Sequence, residues 1–277
     1  ENYRRRVEQS IQRENGSSRP GCRTATAAAP AGASAGRGRK SDEGVSVMRS
    51  VARMAKSVAS VSANQEVLKG RKGSMRADVR SKLKAMTSEQ AREESREVLK
   101  SLTSWNMFSN VKRIGLYVSC PNLKEVETQD LLRICLDMKK DCFVPKLTGK
   151  REMQMLKVAD FSDLRPAPPF NILEPDREDP ATGKHRPEAM DEGLDLLLVP
   201  GLAFSAEGKR LGRGGGYYDS YIEKLLQKSS SEGNERPLIA GLAFSCQVVP
   251  DVPCDSHDME VDAIFTAADP IDCKGKL

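Results

Sequence analysis

The sequence predicts an α/β protein built on an open, mainly parallel sheet. From about Val111 onward, short apolar segments with the length of strands alternate with segments of helical periodicity. Residues 194–199 are nearly continuously apolar, as expected of a strand that is covered on both faces. A glycine-rich loop, residues 212–216, stands directly before an amphipathic helical pattern. Ligands of such sheets bind beyond the C-terminal ends of the strands, and this loop follows the strongest strand.

Residues 1–69 are predicted to be a disordered, basic N-terminal region. Residues 16–47 are rich in Gly, Ala, Ser, Pro and Arg, a composition that does not build a core. From Met48 to Gln65 the chain has arginine, lysine and serine but no acidic residue, which is typical of an organellar transit peptide. A flexible basic tail is the alternative interpretation. If the segment is a transit peptide, we favour the mitochondrion over the plastid. If it is only a flexible tail, the expected location is the cytoplasm.

The folded domain is predicted to span residues 70–277 and to begin with two helices, over 74–86 and 88–103. Thr87 is the predicted N-cap of the second helix. The apolar residues of the two helical faces are Val79, Leu83 and Met86, then Val98, Leu99 and Leu102.

Six strands are predicted in the rest of the chain, at 114–118, 142–145, 153–158, 194–199, 238–244 and 263–266. Thr128 is a candidate N-cap for a helix whose apolar side carries Leu131, Leu132, Cys135 and Met138. A further helix is predicted over 217–228. Residues 165–190 are rich in Pro, Glu and Asp, which indicates a long surface loop.

Composition excludes several classes of protein. The seven cysteines are odd in number and lack a C-x-x-C pair, which favours free thiols in a reducing compartment. The net charge of +5 is mild, and neither an RNA-binding aromatic signature nor zinc-finger spacing is present, so we predict no nucleic-acid partner. No apolar run is long enough to cross a bilayer, so we predict no membrane association.

The segment Lys209–Asp219 carries the strongest functional signal, because it combines Arg210 and Arg213 with four glycines and a carboxylate. Glycine lets the backbone approach a ligand closely. Arginine offers a planar set of donors that suits phosphate, and a helix N-terminus favours an anion. The glycine spacing matches neither the P-loop nor the dinucleotide fingerprint. The segment therefore predicts a nucleotide phosphate site of another type.

Two aspartates are candidate magnesium ligands. Asp219 lies in the first turn of the helix predicted at 217–228, where a carboxylate either compensates the helix dipole or binds the metal. Asp258 precedes the last predicted strand, and its residue type alone favours neither a metal role nor a structural one. The basic cluster around Lys72 and Arg76, taken alone, indicates a solvated basic run.

Residues 196–222, LLLVPGLAFSAEGKRLGRGGGYYDSYI, resemble the signature of the 5-formyltetrahydrofolate cyclo-ligase family, also called methenyltetrahydrofolate synthetases. Three more elements occur in the family's order: K-x-x-x-R at Lys72–Arg76, E-x-E-T at Glu125–Thr128, and D-x-x-x-D at Asp258–Asp262. The resemblance covers about residues 70–277. It implies a three-layer α/β sandwich that converts 5-formyltetrahydrofolate to 5,10-methenyltetrahydrofolate with ATP and Mg²⁺, releasing ADP and phosphate.

The resemblance also implies the roles of individual residues. Arg213 and Tyr217 would be catalytic, and Asp219 and Asp258 would bind Mg²⁺. The residues that would contact ATP are Lys72, Gly73, Ser74, Met75, Arg76, Arg210, Leu211, Gly212, Arg213, Gly214, Gly215, Gly216, Tyr217 and Tyr218. Those that would contact the folate are Arg76, Val118, Glu125, Arg213, Gly214, Gly215, Gly216 and Tyr217. The partners expected are these small molecules, with one or more glutamates on the folate, and the protein is expected to be a monomer.

The chain departs from the family pattern in two places, and two alternatives accompany the resemblance. The loop between Val118 and Glu125 is slightly longer than in some members, which bears on the role of Val118. Gly215 stands where some members of the family have a lysine, so a positive charge at the phosphates is either missing or supplied by Lys209. A sugar-phosphate isomerase or a CoA-handling enzyme is one alternative, but it would not need Asp219 paired with Asp258. A non-catalytic folate-binding or RNA-linked relative is the other.

Overall fold

The computed structural model describes residues 42–168 and 171–277. The chain divides after Met54 into two units, and the sheet and its site belong to Ala55–Leu277. The described helices are α1 (Asp42–Ala85), α2 (Ser88–Thr103), α3 (Gln129–Asp137), α4 (Ala189–Glu192) and α5 (Tyr217–Glu232). No helix in this described part of the chain has the length and apolar character needed to span a bilayer.

The strands, in chain order, are β1 (Arg113–Gly115), β2 (Asp141–Gly149), β3 (Glu152–Val158), β4 (Leu164–Ala167), β5 (Ile172–Pro175), β6 (Leu196–Val199), β7 (Ala203–Phe204), β8 (Arg210–Leu211), β9 (Leu238–Leu242), β10 (Ala263–Phe265) and β11 (Ile271–Asp272). Seven of them form the main sheet in the order β11-β10-β9-β6-β1-β2-β3. The five central strands are parallel, and β3 and β11 are antiparallel at the two edges. The predicted mainly parallel sheet is confirmed.

Buried side chains form one apolar cluster on each face of this sheet. Along β6, Leu196 and Leu198 belong to one cluster, whereas Leu197 and Val199 belong to the other, as the twofold alternation of a strand requires. Helices α1, α2 and α3 cover the first face, and α4 and α5 cover the second. Both faces of the central strands are therefore buried, which explains their continuous apolar sequences and confirms the three layers.

The N-terminal helix corrects the sequence analysis. Helix α1 begins at Asp42 rather than at residue 74, so it includes residues 42–69 of the region predicted to be disordered. No glycine or proline interrupts residues 45–69, and such a segment can continue a helix. The predicted tail before Asp42 lies outside the described residues.

The Pro-rich segment predicted as a loop is also corrected, since it contains the antiparallel hairpin β4–β5 and the short helix α4. The prolines in this segment were interpreted as a sign of a loop, but two of them lie in the hairpin. Pro166 and Pro175 fit into a two-stranded ribbon, where a missing N–H need not break a ladder. The two short strands of the hairpin β7–β8 and the edge strand β11 were not predicted.

The two predicted N-caps have different outcomes. Thr87 caps α2 through a capping box with Gln90, in which each side chain accepts from the other residue's backbone N–H. Thr128 occupies the N-cap position of α3, but its side chain makes no capping hydrogen bond there. Met138 is exposed instead of buried, because α3 ends at Asp137 and leaves Met138 as its C-cap.

Asp195 ties the start of β6 to the start of β1, and we predict that this contact makes stability depend on pH. Its Oδ2 accepts from the backbone amides of Lys112 and Arg113 at 2.7 and 2.8 Å, and its Oδ1 accepts from Arg113 Nη2 at 3.1 Å. Burial opposes ionisation, but these donors outweigh it and hold the pKa of Asp195 below its usual value. The stabilisation is therefore complete above the unfolded-state pKa of about 4 and is lost as the pH falls through the folded-state pKa.

Asp195→Asn should lower the free energy of unfolding by about 1–3 kcal/mol at pH 7, since a charged acceptor of three hydrogen bonds is replaced by a neutral one. The difference from the wild type should shrink below about pH 4. Urea unfolding at pH 7, 5 and 3.5 measures both effects. Asp78→Asn, on an exposed position of α1, is the matched control. An equal loss at all three pH values would contradict this account.

Candidate functional site

Four segments meet beyond the C-terminal ends of the parallel strands. They are the end of α1 around Lys72 and Arg76, the loop 119–128 after β1, the glycine loop 212–216 before α5, and the loop 250–262 before β10. Side-chain contacts join these segments in pairs, across sequence separations of 40 to 186 residues. The site is therefore a product of the tertiary fold and not of one local motif.

Hydrogen bonds within the loop 119–128 fix its shape. Thr128 Oγ1 donates to the carbonyl of Tyr117 at 2.5 Å and accepts from the backbone N–H of Ser119 at 3.0 Å. In return, the backbone N–H of Thr128 donates to Ser119 Oγ at 3.1 Å. The hydroxyl of Tyr117 donates to the carbonyl of Val126 at 3.1 Å. These bonds explain why Thr128 does not cap α3, and they fix the backbone that presents Glu125.

Arg213 joins the glycine loop to this fixed loop. Its Nε donates to Glu125 Oε1 at 3.0 Å, and its Nη2 donates to the carbonyl of Leu123 at 2.5 Å. The other carboxylate oxygen of Glu125 accepts from the backbone N–H of Cys120 at 3.4 Å. Only 9% of the Glu125 side chain is exposed. A buried carboxylate needs a charged partner, and here that partner is Arg213. The predicted nucleotide and folate residues therefore touch here.

Arg210 is buried beneath the glycine loop and orients Asp219. Only 3% of its side chain is exposed. Its Nη2 donates to Asp219 Oδ1 at 2.5 Å, and its Nη1 donates to the carbonyl of Pro200 at 3.2 Å. Asp219 Oδ1 also accepts from the backbone N–H of Met259 at 3.2 Å, which places this carboxylate next to the neighbour of Asp258. Arg210 therefore contacts Asp219, and the contact with ATP that the resemblance implies for Arg210 remains a prediction.

Two buried polar atoms accompany this contact. Arg210 Nε and the hydroxyl of Tyr218 are buried and have no hydrogen-bond partner among the described residues. Burial raises the pKa of the Tyr218 hydroxyl, so it stays protonated at neutral pH. The guanidinium of Arg210 lies 6.0 Å from the centre of the Tyr218 ring, which partly offsets the missing contacts of the cation.

Lys72 holds the loop before β10 from the side of α1. Its Nζ donates to Asp255 Oδ2 at 2.7 Å and to Asp258 Oδ2 at 2.5 Å. Burial alone would lower the pKa of this amine, but the two carboxylates outweigh burial and raise it. The backbone N–H of Asp255 also donates to Asp258 Oδ2 at 2.7 Å. Asp255 was not predicted, since only the folded loop turns it towards Lys72.

Arg76 lies between the glycine loop and the two predicted metal ligands. Its Nε donates to the carbonyl of Gly212 at 2.9 Å. Burial and the nearby charge of Arg80 lower the pKa of this guanidinium, whereas Asp258 and Asp219 act in the opposite direction. Because an arginine remains charged well above neutral pH, Arg76 supplies a fixed positive charge at this point.

Two glycines of the loop adopt backbone conformations that favour glycine, with φ of 106° at Gly214 and 72° at Gly216. Gly215 is restricted by space instead, because a Cβ there would lie 2.7 Å from the ring of Tyr217. A Cβ at Gly216 would lie 3.1 Å from Nε of Arg151, in the turn between β2 and β3. Sequence spacing gave no sign of Arg151, because the turn meets the loop only through the fold.

Not every predicted residue lies in this cluster. Val118 and Leu211 are buried in the hydrophobic core, and Met75 packs against it. Gly73 and Ser74 are on the exposed side of α1, and a Cβ at Gly73 would point into open space. Some family members have a lysine at the position of Gly215, and Lys209 was considered as a replacement for its charge. Lys209 is already paired, because its Nζ donates to Asp251 at 2.7 Å. The ligand contacts of these residues remain predictions.

The donor set around Asp219 and Asp258 suits magnesium. Each carboxylate uses one oxygen for its cationic partner, and Asp219 Oδ2 and Asp258 Oδ1 accept no hydrogen bond from the described residues. The described residues contain no cluster of three or more His, Cys, Asp or Glu that could hold a metal. Mg²⁺ commonly takes one or two carboxylates and completes its shell with water and phosphate oxygens, so the two residues fit it.

A family model and two similar proteins indicate the same family. The model of the 5-formyltetrahydrofolate cyclo-ligase family matches residues 68–267. The chain is 33% identical over 198 residues to the 5-formyltetrahydrofolate cyclo-ligase of Mus musculus, covering 70% of this chain and 92% of that protein. It is 34% identical over 222 residues to the mitochondrial 5-formyltetrahydrofolate cyclo-ligase of Arabidopsis thaliana, covering 76% of this chain and 79% of that protein.

A solved structure is also similar to the chain. The NMR structure of 5,10-methenyltetrahydrofolate synthetase from Aquifex aeolicus matches with a TM-score of 0.59 at 30% identity. The match covers 74% of this chain and 94% of that one. Sequence and structure therefore indicate the same family.

The crowding at Gly216 leads to a prediction about stability. Gly216→Ala should lower the free energy of unfolding by about 1–2 kcal/mol, because alanine is strained at this φ and its Cβ would press on Arg151. Gly70→Ala is the control, since a Cβ there meets no atom within 4 Å and alanine favours the helix. Urea unfolding of both variants is the measurement. A neutral Gly216→Ala would show that the loop relaxes freely.

Proposed function

The chain belongs to the 5-formyltetrahydrofolate cyclo-ligase family, and from this premise we propose that it converts 5-formyltetrahydrofolate to 5,10-methenyltetrahydrofolate with ATP and Mg²⁺, releasing ADP and phosphate. One contact supports the proposal most directly. The 3.0 Å bond from Arg213 Nε to Glu125 Oε1 joins the loop expected to bind ATP to the residue expected to bind the folate. A reaction between two substrates needs such a meeting point.

The chemistry explains why ATP is consumed. An N-formyl group is a poor electrophile, because its amide is stabilised by resonance. In the proposed first step, the formyl oxygen attacks the γ-phosphorus and ADP leaves. In the second step, N10 of the folate attacks the formyl carbon and loses its proton. The bond from that carbon to oxygen then breaks, and the oxygen departs in the phosphate. No nucleophilic side chain takes part.

The protein's task in this scheme is to position the substrates and to neutralise charge. Arg76 and Arg213 are partly exposed cations at the glycine loop, and we assign them to the phosphates and to the reacting formyl group. Asp219 and Asp258 would hold Mg²⁺, which supplies positive charge that the phosphate oxygens need during transfer. Arg210 positions Asp219 through its buried contact. The open backbone of the glycines lets both substrates come close.

Tyr217 is assigned to the folate. Its ring lies against Gly215 and is partly exposed, as a surface for the flat pterin would need to be. The substrate class is therefore a reduced folate with one or more glutamates, together with MgATP.

We also propose that the protein works in the mitochondrion. Residues 48–65 are helical and carry basic but no acidic residues, which suits a presequence. The similar Arabidopsis protein is named as mitochondrial. A fluorescent protein fused to the C-terminus should accumulate in mitochondria with the full chain and in the cytosol when residues 1–65 are deleted. Equal distribution of the two fusions would contradict the proposal, and plastid accumulation would change the organelle.

The activity is tested with the purified full chain. Absorbance of the methenyl product and release of ADP should appear together, and both should stop when ATP is omitted or Mg²⁺ is chelated. Arg213→Ala and Asp219→Ala should each lower kcat/KM by roughly 100-fold or more, because each removes a charged group at the proposed transfer site. Arg92→Ala, on the exposed face of α2, is the control.

Two results would overturn the assignment. Product that forms without ATP, or no product at all, would contradict the proposed reaction. Wild-type rates in both Arg213→Ala and Asp219→Ala would instead contradict the site, while leaving the reaction in place.

A further inference from the structure

The turn between β2 and β3 brings an arginine against the glycine loop from a side that the family resemblance did not include. Arg151 has a φ of 60°, an uncommon backbone conformation for a residue other than glycine. A Cβ at Gly216 would lie 3.1 Å from Nε, 3.4 Å from Cδ and 3.6 Å from Cγ of Arg151. The arginine side chain therefore lies directly against Gly216.

The charge of Arg151 is not neutralised within the described part of the protein. Its guanidinium has neither a hydrogen bond nor a salt bridge to any residue described here. Most other cations around the loop are already paired. The pairs are Lys72 with Asp255 and Asp258, Lys209 with Asp251, Arg210 with Asp219, and Arg213 with Glu125. Among these site cations, only Arg76 and Arg151 lack a carboxylate partner within the described residues.

These two unpaired arginines lie on opposite ends of the three consecutive glycines. A Cβ at Gly214 would lie 3.8 Å from the guanidinium carbon of Arg76, and a Cβ at Gly216 would contact Arg151. Positive charge that the protein does not itself satisfy is therefore concentrated on both sides of Gly215. Guanidinium groups in such a position suit oxygens of a phosphate, because they offer several parallel N–H donors.

We propose that Arg151 is a further ATP-binding residue, which contacts phosphate oxygens of the nucleotide from the β2–β3 turn. This inference rests on the proposed function, since it uses the same loop and the same nucleotide. Formal charge favours a phosphate ligand: the four cations Lys72, Arg76, Arg210 and Arg213 equal in number the four carboxylates Glu125, Asp219, Asp255 and Asp258, although Arg76 bonds only to a carbonyl. Arg151 adds to this set a positive charge, which suits MgATP, an anion.

Exposure makes the contact possible. Arg151 is exposed, whereas Arg210 is buried and committed to Asp219. The turn connects the edge strand β3 to β2, with an irregular register between Leu147 and Gly149. A ligand can therefore reach the guanidinium without breaking a contact of the sheet. In this scheme Arg151 binds the nucleotide. Phosphoryl transfer depends on the residues assigned to it under the proposed function.

The test compares Arg151→Asn with the wild type in the full chain. Asparagine tolerates a positive φ, so this variant removes the guanidinium without straining the turn. The KM for ATP and the dissociation constant of MgADP, measured by calorimetry, should both rise about tenfold, as expected for the loss of one charge-assisted contact. The KM for 5-formyltetrahydrofolate should stay unchanged. Arg177→Asn removes the same charge from an exposed loop and should change none of these constants.

Three outcomes would overturn the inference. In the first, Arg151→Asn keeps the wild-type KM for ATP and affinity for MgADP. In the second, only the KM for the folate rises, which would assign the guanidinium to the glutamyl carboxylates. In the third, Arg177→Asn has the same effect, which would indicate a general effect of charge. A wild-type protein without ATP-dependent activity that still binds MgADP more tightly than Arg151→Asn would contradict the proposed function alone.

Discussion

The ion pair between Arg210 and Asp219 is the interaction on which the rest of the site depends. A guanidinium with 3% of its side chain exposed must have a charged partner, and here that partner is also a proposed metal ligand. The same carboxylate oxygen accepts from Met259 N–H, so one aspartate links β8, the start of α5 and the loop before β10. Loss of the pair would leave a buried charge uncompensated and release three segments at once.

Helix α1 adds the second half of this arrangement. Lys72 and Arg76 are four residues apart, so they lie on one face of the helix. One binds the loop that carries Asp258, and the other binds the glycine loop at Gly212. The proposed nucleotide site is thus largely ordered before any ligand arrives, and charges that are already fixed need little reorganisation during phosphoryl transfer.

Features that depend on a few neighbouring residues were predictable from the sequence. The continuous apolar run of β6 and the capping box at Thr87 are properties of a few neighbouring residues, and both were predictable. The β4–β5 hairpin was missed, because proline weakens every local strand signal. Asp255 and Arg151 were missed for another reason. Their contacts join residues brought together only by the sheet order, about which residue types and spacing say nothing.

The continuity of α1 has a consequence for processing. A presequence that ends near Gln65 would be cut out of one unbroken helix and not out of a separate tail. The new chain end would then lie about two turns before Lys72. Freed N–H groups and a new α-amino charge would lie on the same helix as Lys72 and Arg76, the cations proposed to bind the nucleotide, and both would add to the positive potential. Maturation and affinity for an anionic substrate would in that way be coupled through a single helix.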